Sequence, residues 1–159
     1  MKKKKKKKIV GSRTSKSDLE LLFDAIENER DDVVERLIRN GVDVNTVNDS
    51  GGTPLYAAAY YNNASIVRLL LSNDADINAK TDIGRTPLHT VGYNGNVEVA
   101  NVLISFGAEI NAKDVNGITP LHCSVLGENI GMIRLLVSRG ADINARDRDG
   151  DTPLDCAIE

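Results

Sequence analysis

Aromatic residues are scarce in this chain of 159 residues, which has no tryptophan and only two phenylalanines. Because 41% of the residues are nevertheless apolar, the core must be aliphatic and divided among several small interfaces, as in a stacked array. No apolar run approaches the ~20 residues that a membrane-spanning helix needs. The segment from Ile9 to Ser12 begins no hydrophobic stretch, so we expect neither a membrane span nor a signal peptide.

Cysteine is also rare. Cys123 and Cys156 are 33 residues apart. Neighbouring stacked helices lie ~8–10 Å apart, whereas a disulfide needs Cα atoms within ~7 Å of each other. We therefore expect both thiols to be reduced and buried, which favours an intracellular location, either cytoplasmic or nuclear.

The sequence has no residue pattern typical of a catalytic or metal-binding site. The two histidines, His89 and His122, are 33 residues apart, and ~10 Å between stacked helices is too far for both to bind one zinc ion. Ser124 follows His122 by two positions, and residues i and i+2 of a helix do not face each other. The chain has neither a phosphate-binding glycine loop nor a Cys/His cluster with metal spacing. We expect no enzyme activity, no cofactor, no metal and no small-molecule substrate.

Charge is divided unevenly along the chain. The net charge is −3, but Lys2 to Lys8 contribute seven positive charges, which leaves 13 basic and 23 acidic residues in the rest of the chain. Residues 1–16 are predicted to form a disordered lysine-rich arm. Three roles stay open for this arm: a nuclear import signal, a tether to nucleic acid or an anionic membrane, or a solvated tail without a partner. The acidic remainder favours basic protein surfaces.

The tripeptide Thr-Pro-Leu recurs every 33 residues, starting at Thr53, Thr86, Thr119 and Thr152. A fixed period of this length predicts stacked supersecondary units. In each unit the threonine can cap a first helix, and proline at the first helical position loses no needed hydrogen bond. Apolar residues at helical spacing predict a second helix with a buried stripe, namely Ile66, Val67, Leu70 and Leu71, then Val99, Ala100, Leu103 and Ile104, then Met132, Ile133, Leu136 and Val137.

The period divides residues 17–159 into units at about 17–47, 48–80, 81–113 and 114–146 and a partial unit at 147–159. The first unit lacks Thr-Pro-Leu and is predicted to be a capping helix pair, whose first helix begins at Ser17 with Glu20 completing a capping box. Gly107 and Gly140 stand where a left-handed helix terminus is expected, and Asp74 replaces glycine there. One further position holds a short amide that can bond turn backbone in every unit: Asn45, Asn78, Asn111 and Asn144.

Longer motifs surround the tripeptide. Residues 84–89 read Gly-Arg-Thr-Pro-Leu-His and residues 117–122 read Gly-Ile-Thr-Pro-Leu-His, and Gly-Ala-Glu-Ile-Asn-Ala and Gly-Ala-Asp-Ile-Asn-Ala follow at 107–112 and 140–145. This pattern resembles the ankyrin repeat over about residues 17–159. The resemblance implies an all-α solenoid of stacked antiparallel helix pairs with projecting β-hairpin turns. It also implies that the motif histidine bonds neighbouring turn backbone, and that the turns and first helices bind a protein.

Candidate binding residues are the positions on the concave side that differ between units, because the stack does not dictate them. Together they predict an exposed aromatic and aliphatic stripe of the kind that binding hot spots require. In the turns they are Asp49, Ser50, Gly52, Asp82, Ile83, Arg85, Val115, Asn116, Ile118, Arg148, Asp149 and Asp151. In the first helices they are Tyr60, Tyr61, Tyr93, Asn94, Leu126 and Gly127.

The sequence thus favours a non-catalytic protein-binding module: a scaffold, an adaptor or an inhibitor. Two alternatives stay open, a recognition region of a longer multidomain protein and an electrostatic tether through Lys2 to Lys8. The last unit stops within its first helix, which is expected to dock through Leu154, Ala157 and Ile158. The missing cover should leave the stripe from Met132 to Val137 partly exposed and promote self-association at this end.

Overall fold

The computed structural model describes residues 15–158, in which eight α-helices precede one short 3₁₀ helix. The helices are α1 (Lys16–Glu27), α2 (Asp31–Arg39), α3 (Pro54–Tyr60), α4 (Ala64–Leu71), α5 (Pro87–Asn94), α6 (Val97–Ser105), α7 (Pro120–Leu126) and α8 (Ile130–Ser138), and the 3₁₀ helix is Asp155–Ala157. No strand occurs within this range. Lys2 to Lys8, the core of the predicted arm, lie outside it. None of the described helices combines the length and the apolar character that crossing a membrane requires.

The helices form two layers. In the first layer α1, α3, α5 and α7 contact one another in succession, and the 3₁₀ helix contacts α7. In the second layer α2, α4, α6 and α8 do the same, and each first-layer helix packs on the helix that follows it in sequence. The predicted all-α repeat solenoid is therefore confirmed.

Side-chain caps explain where the first helices begin. Thr53 accepts a hydrogen bond from the Tyr56 N–H at 3.2 Å, and Pro54 opens α3. For α1, the predicted cap at Ser17 is wrong. Ser15 accepts a bond from the Asp18 N–H at 3.1 Å, and the Asp18 carboxylate accepts the Ser15 N–H at 3.4 Å. The chain carries a serine three residues before an acidic residue twice in succession, and the helix uses the earlier pair. Ser15 therefore caps α1 and Lys16 is its first residue, so neither belongs to the arm.

Left-handed residues end the second helices. Gly41, Gly107 and Gly140 have φ angles of 91°, 95° and 90°, and Asp74 has φ 64° at the equivalent position of the second unit. Glycine adopts this region without steric cost, whereas an aspartate there is strained. The sequence prediction for these positions is confirmed.

The core is aliphatic and distributed along the stack, as predicted. Its largest fully buried side chains include Leu22, Leu55, Leu70, Leu103 and Leu136, which are spread over all four units from 17 to 146. At the C-terminal end the cover thins. Ile133 and Val137 are half-buried and exposed respectively, although their counterparts Ala100 and Ile104 in the preceding unit are buried and half-buried.

The C-terminal segment departs from its prediction. Only a three-residue 3₁₀ helix follows Thr152, and Leu154 and Ile158 are 70% and 77% exposed. Ala157 is exposed as well, so docking through Leu154, Ala157 and Ile158 is wrong, and Pro153 is buried instead. A single short turn of this kind is marginal as a helix and buries little apolar surface.

The cysteine prediction is confirmed in part. Cys123 is buried and Cys156 is half-buried, and no disulfide joins them.

Candidate functional site

Four turns of one design precede the first helices, and we call them the fingers: residues 48–52, 81–85, 114–118 and 147–151. In the first finger the Asn48 N–H donates to the Gly52 carbonyl and the Gly51 N–H donates to the Asn48 carbonyl, both at 3.0 Å. The same pair of bonds closes the other three. Gly51 has φ 71°, a conformation that glycine adopts readily. The fingers are therefore tight hairpin turns that do not extend into strands within the described part of the chain.

Backbone hydrogen bonds join each finger to the next. The Asp82 N–H donates to the Ser50 carbonyl at 3.4 Å, the Val115 N–H to the Ile83 carbonyl at 3.1 Å, and the Arg148 N–H to the Asn116 carbonyl at 2.7 Å. A side-chain ion pair adds to this at one junction, where Arg85 lies 3.4 Å from the nearly buried carboxylate of Asp114. The finger tips are consequently held at fixed spacing.

Each of the two histidines bonds the finger of the next unit. The Thr86 N–H and hydroxyl donate to His89 Nδ1 at 3.1 and 2.8 Å, so the ring proton sits on Nε2 and donates to the Ile118 carbonyl at 2.9 Å. His122 makes the same bonds with Thr119 and with the Asp151 carbonyl. Burial lowers the pKa of His89, and the bond to the Ile118 carbonyl opposes this only in part. The role that the resemblance implied for the motif histidine is confirmed.

A ladder of asparagines links the loops that follow the second helices. The Asp76 N–H donates to Asn45 Oδ1 at 2.7 Å, and Asn45 Nδ2 donates to the Asp74 carbonyl at 3.1 Å. The Glu109 N–H donates to Asn78 Oδ1 at 2.9 Å. The third rung, at Asn111, repeats the Asn45 arrangement with Asp142 and Gly140. These amides bond the backbone of the next unit.

The candidate binding residues lie on the fingers and first helices, but they are not equally accessible. The apolar ones stand out, with exposures between 37% and 57% for Tyr60, Tyr61, Tyr93, Ile83, Val115 and Leu126. Asp49, Ser50, Asp82, Asn94, Asn116, Arg148 and Asp149 are exposed, whereas Arg85, Ile118, Gly127 and Asp151 are half-buried. Asn94 also donates to the Tyr60 carbonyl at 2.9 Å and so links α5 to α3.

Gly52 is a correction to that set. It is buried, and a Cβ placed there would lie 3.2 Å from Asn48 Oδ1. The Asn48 side chain folds over this position to accept the N–H groups of Ser50 and Gly52 at 3.0 and 2.9 Å. Gly52 serves the finger and has no surface to offer a partner.

Two grooves separate the fingers from the first helices. The first, which we call the N-terminal groove, has a volume of about 430 Å³ and lies between α1, the first finger and α3. The second, of about 540 Å³, lies between the first two fingers and is lined by Asp49, Ser50, Tyr56, Asp82 and Ile83, among others.

Sequence reasoning missed part of the N-terminal groove. Phe23, Glu20 and Glu27 line it from α1, and Tyr56 lines it from α3. Tyr56 occupies the position at which His89 and His122 bond the next finger in the later units. This replacement of a structural histidine by an aromatic residue was the signal from which the groove could have been predicted. The residues of α1 carried no such signal, because a capping pair was expected to face water.

Tyr60 and Tyr61 meet edge to face, with ring centroids 5.1 Å apart. Burial raises the pKa of Tyr61, and the adjacent Glu27 carboxylate, bonded to the phenol, raises it further. Both rings line the N-terminal groove.

A cluster of potential metal ligands lies at the last finger. Ligand atoms of His122, Asp147 and Cys156 lie within 4.8 Å of one another. Both His122 ring nitrogens are already hydrogen-bonded, however, and Asp147 Oδ1 accepts the N–H groups of Asp149 and Asp151 at 2.9 Å. A metal could bind His122 only by displacing its hydrogen bonds to Thr119 or to the Asp151 carbonyl. Nearby, burial raises the pKa of the Cys123 thiol to about 11, which leaves it unreactive at neutral pH.

Stacked helix pairs with fingers tied at a constant register define an α-helical repeat solenoid that presents one variable face. The sequence model described as ankyrin repeats (3 copies) matches residues 22–114 and 93–159. The chain therefore belongs to the ankyrin repeat family. Comparison with curated proteins returned no significant match. Ankyrin repeats are generally protein–protein interaction modules, and the family is generally non-catalytic.

Proposed function

We propose that this chain is a non-catalytic interaction module, acting as a scaffold, adaptor or inhibitor, that binds a partner protein through its fingers and first helices. The observation that carries the proposal is the exposure of apolar side chains at positions that differ from unit to unit. Tyr60 and Tyr93 are 53% and 57% exposed, and Ile83 and Val115 are 51% and 52% exposed. Exposed aromatic and aliphatic residues gathered on one face mark a binding surface.

The rigidity of the fingers supports the same proposal. Bonds from one finger to the next, and from His89 and His122 to the finger beyond, hold the variable side chains before a partner arrives. A preorganised surface loses little conformational entropy on binding. We place this activity inside the cell, as the 33-residue spacing of Cys123 and Cys156 predicts.

The test compares three versions of the full chain in partner capture and in a binding titration with the captured partner. Changing Tyr60, Tyr61 and Tyr93 to alanine should weaken binding by more than ~2 kcal/mol, the threshold for hot spots. Phe106→Ala is the matched control, since this aromatic is 47% exposed at the end of second-layer helix α6. It should leave affinity unchanged.

Stability must be followed in parallel. The tyrosine variant should lose far less stability than Leu103→Ala, which truncates a fully buried side chain and should cost ~2–5 kcal/mol. An unfolded tyrosine variant, or equal loss of binding with Phe106→Ala, would place the binding surface elsewhere.

We further propose that a second copy of the chain contacts the C-terminal end. An apolar groove of about 670 Å³ lies there, lined by Ile133, Val137, Ile143 and Leu154, among others. At the internal joints of the stack, the next unit covers the equivalent stripe. Sedimentation velocity across a dilution series should detect a dimer, and Val137→Lys should abolish it. Val47→Lys, at a residue 52% exposed and outside the groove, should not. A monomer at all concentrations would contradict this second proposal.

A further inference from the structure

The N-terminal groove gathers an unusual share of the aromatic side chains. The chain has four tyrosines, two phenylalanines and no tryptophan. Four of these six residues line this one groove: Phe23, Tyr56, Tyr60 and Tyr61. Packing of the stack does not require the concentration, because Tyr60 and Tyr61 are exposed and Phe23 and Tyr56 are only half-buried.

Carboxylates share the groove with these rings. Glu20, Glu27 and Asp49 line it, and all three are exposed. Within residues 15–158, Glu27 and Asp49 take part in no ion pair, while Glu20 lies 3.9 Å from Lys16, the one described cation of the lining. Both members of that pair are well exposed, so the pair is weak and easily exchanged. Among the described residues, the lining therefore holds three carboxylates and one cation.

Aromatic rings and carboxylates together select a particular ligand chemistry. A lysine or arginine side chain gains from contact with the faces of aromatic rings and from charge-assisted bonds to carboxylates. An apolar or acidic ligand would cover the same carboxylates without pairing them, which carries a desolvation or repulsion cost. The groove volume of about 430 Å³ falls in the range of sites that enclose a small ligand or a side chain.

We propose that the N-terminal groove binds a lysine or arginine side chain in a basic segment of the partner protein. This inference rests on the proposed function, and it names the chemistry of the partner at one end of the binding surface. Glu27 and Asp49 supply the charge, and Tyr60 and Tyr61 supply the ring surface beside it.

The test titrates the full chain with four labelled peptides of the same length. They alternate serine with lysine, arginine, acetyl-lysine or glutamate, and fluorescence anisotropy reports binding. Lysine and arginine peptides should bind, and acetylation should weaken binding by about tenfold or more, because it removes the charge on which both the cation–π and the carboxylate contacts depend. Amide shifts in NMR spectra should map the lysine peptide to residues 16–27 and 56–61.

Variants distinguish binding of the lysine peptide in this groove from its non-specific electrostatic attraction to an acidic protein. Glu27→Gln combined with Asp49→Asn, and Tyr60→Ala combined with Tyr61→Ala, should each weaken the lysine peptide by about tenfold. Glu98→Gln combined with Glu109→Gln removes the same charge from exposed positions outside the groove and should change little. Equal weakening by both charge pairs would overturn the inference.

Its failure can be told apart from failure of the proposed function. If the partner is still lost on changing the three tyrosines, but the lysine and glutamate peptides bind equally well or not at all, the concave surface binds a partner without a basic anchor. If the tyrosine variant keeps the partner as well, both proposals fall.

Discussion

Asp74 offers a direct measurement of backbone strain in this stack. It stands at φ 64° where the other second helices end in glycine at 90° to 95°. A left-handed conformation costs an ordinary residue ~1–2 kcal/mol, and glycine loses ~0.5–1 kcal/mol through its freer unfolded chain. The difference predicts that Asp74→Gly stabilises the protein by ~0.5–1 kcal/mol.

The surroundings of residue 74 keep this estimate simple. Asn45 bonds the backbone carbonyl of residue 74, so the substitution retains this link between units. The residue is exposed, so no packing is lost. The reverse experiment is Gly107→Ala, because a Cβ there meets nothing within 4 Å. It should destabilise by a similar ~0.5–1 kcal/mol through strain alone.

Urea unfolding followed by circular dichroism measures both changes. For a chain of this size ~1 kcal/mol corresponds to ~2–4 °C in Tm, so thermal melts provide a second reading. A neutral Gly107→Ala would refute the strain estimate itself. A destabilising Asp74→Gly beside a destabilising Gly107→Ala would instead show that the aspartate side chain holds the helix end.

Three further predictions follow from single features. Because the folded pKa of His89 is lowered, the unfolded chain takes up the proton first as pH falls. The free energy of unfolding should therefore decline below about pH 6.5. His89→Gln should flatten that decline. A free energy of unfolding that stays constant over this pH range would contradict burial as the cause of the lowered pKa. Deleting residues 1–14 should change the free energy of unfolding by less than ~0.5 kcal/mol. Deleting residues 1–16 also removes the Ser15 cap and should cost ~0.5–2 kcal/mol. Equal effects of the two deletions would show that the cap does not stabilise α1. Residues 147–158 should exchange amide hydrogen faster than residues 81–113, and comparable protection in mass spectrometry would mean that the end of the stack is closed.

The sequence was most informative where one physical constraint returns in every unit. A left-handed helix end, a threonine cap before Pro54 and an amide at Asn45 each recur every 33 residues. Four repetitions separate such a constraint from chance. The existence and order of the helices could therefore be predicted without coordinates.

Prediction failed where the pattern was ambiguous or where packing between units decided the outcome. Two overlapping serine motifs offered equally good starts for α1, and only the structure distinguishes Ser15 from Ser17. The segment after Thr152 has the helical pattern of the earlier units, but it forms only a 3₁₀ turn with Leu154 and Ile158 exposed. The N-terminal groove is assembled from Phe23 and Tyr56, which lie in different units and share no local pattern.

The bonds between units have a consequence for the length of the molecule. Asn45 and Asn78 each reach 31 residues ahead to an amide, and His89 and His122 each reach 29 residues ahead to a carbonyl. Excising residues 81–113 would bring Asn78 opposite Asp142, whose N–H now donates the equivalent bond to Asn111. The asparagine and finger bonds at the new joint would close with equivalent partners, whereas an excision that is not a whole number of 33-residue repeats would misalign the bonds at that joint. The recognition surface can thus be shortened or extended by whole repeats, while the variable residues of each finger can differ from repeat to repeat.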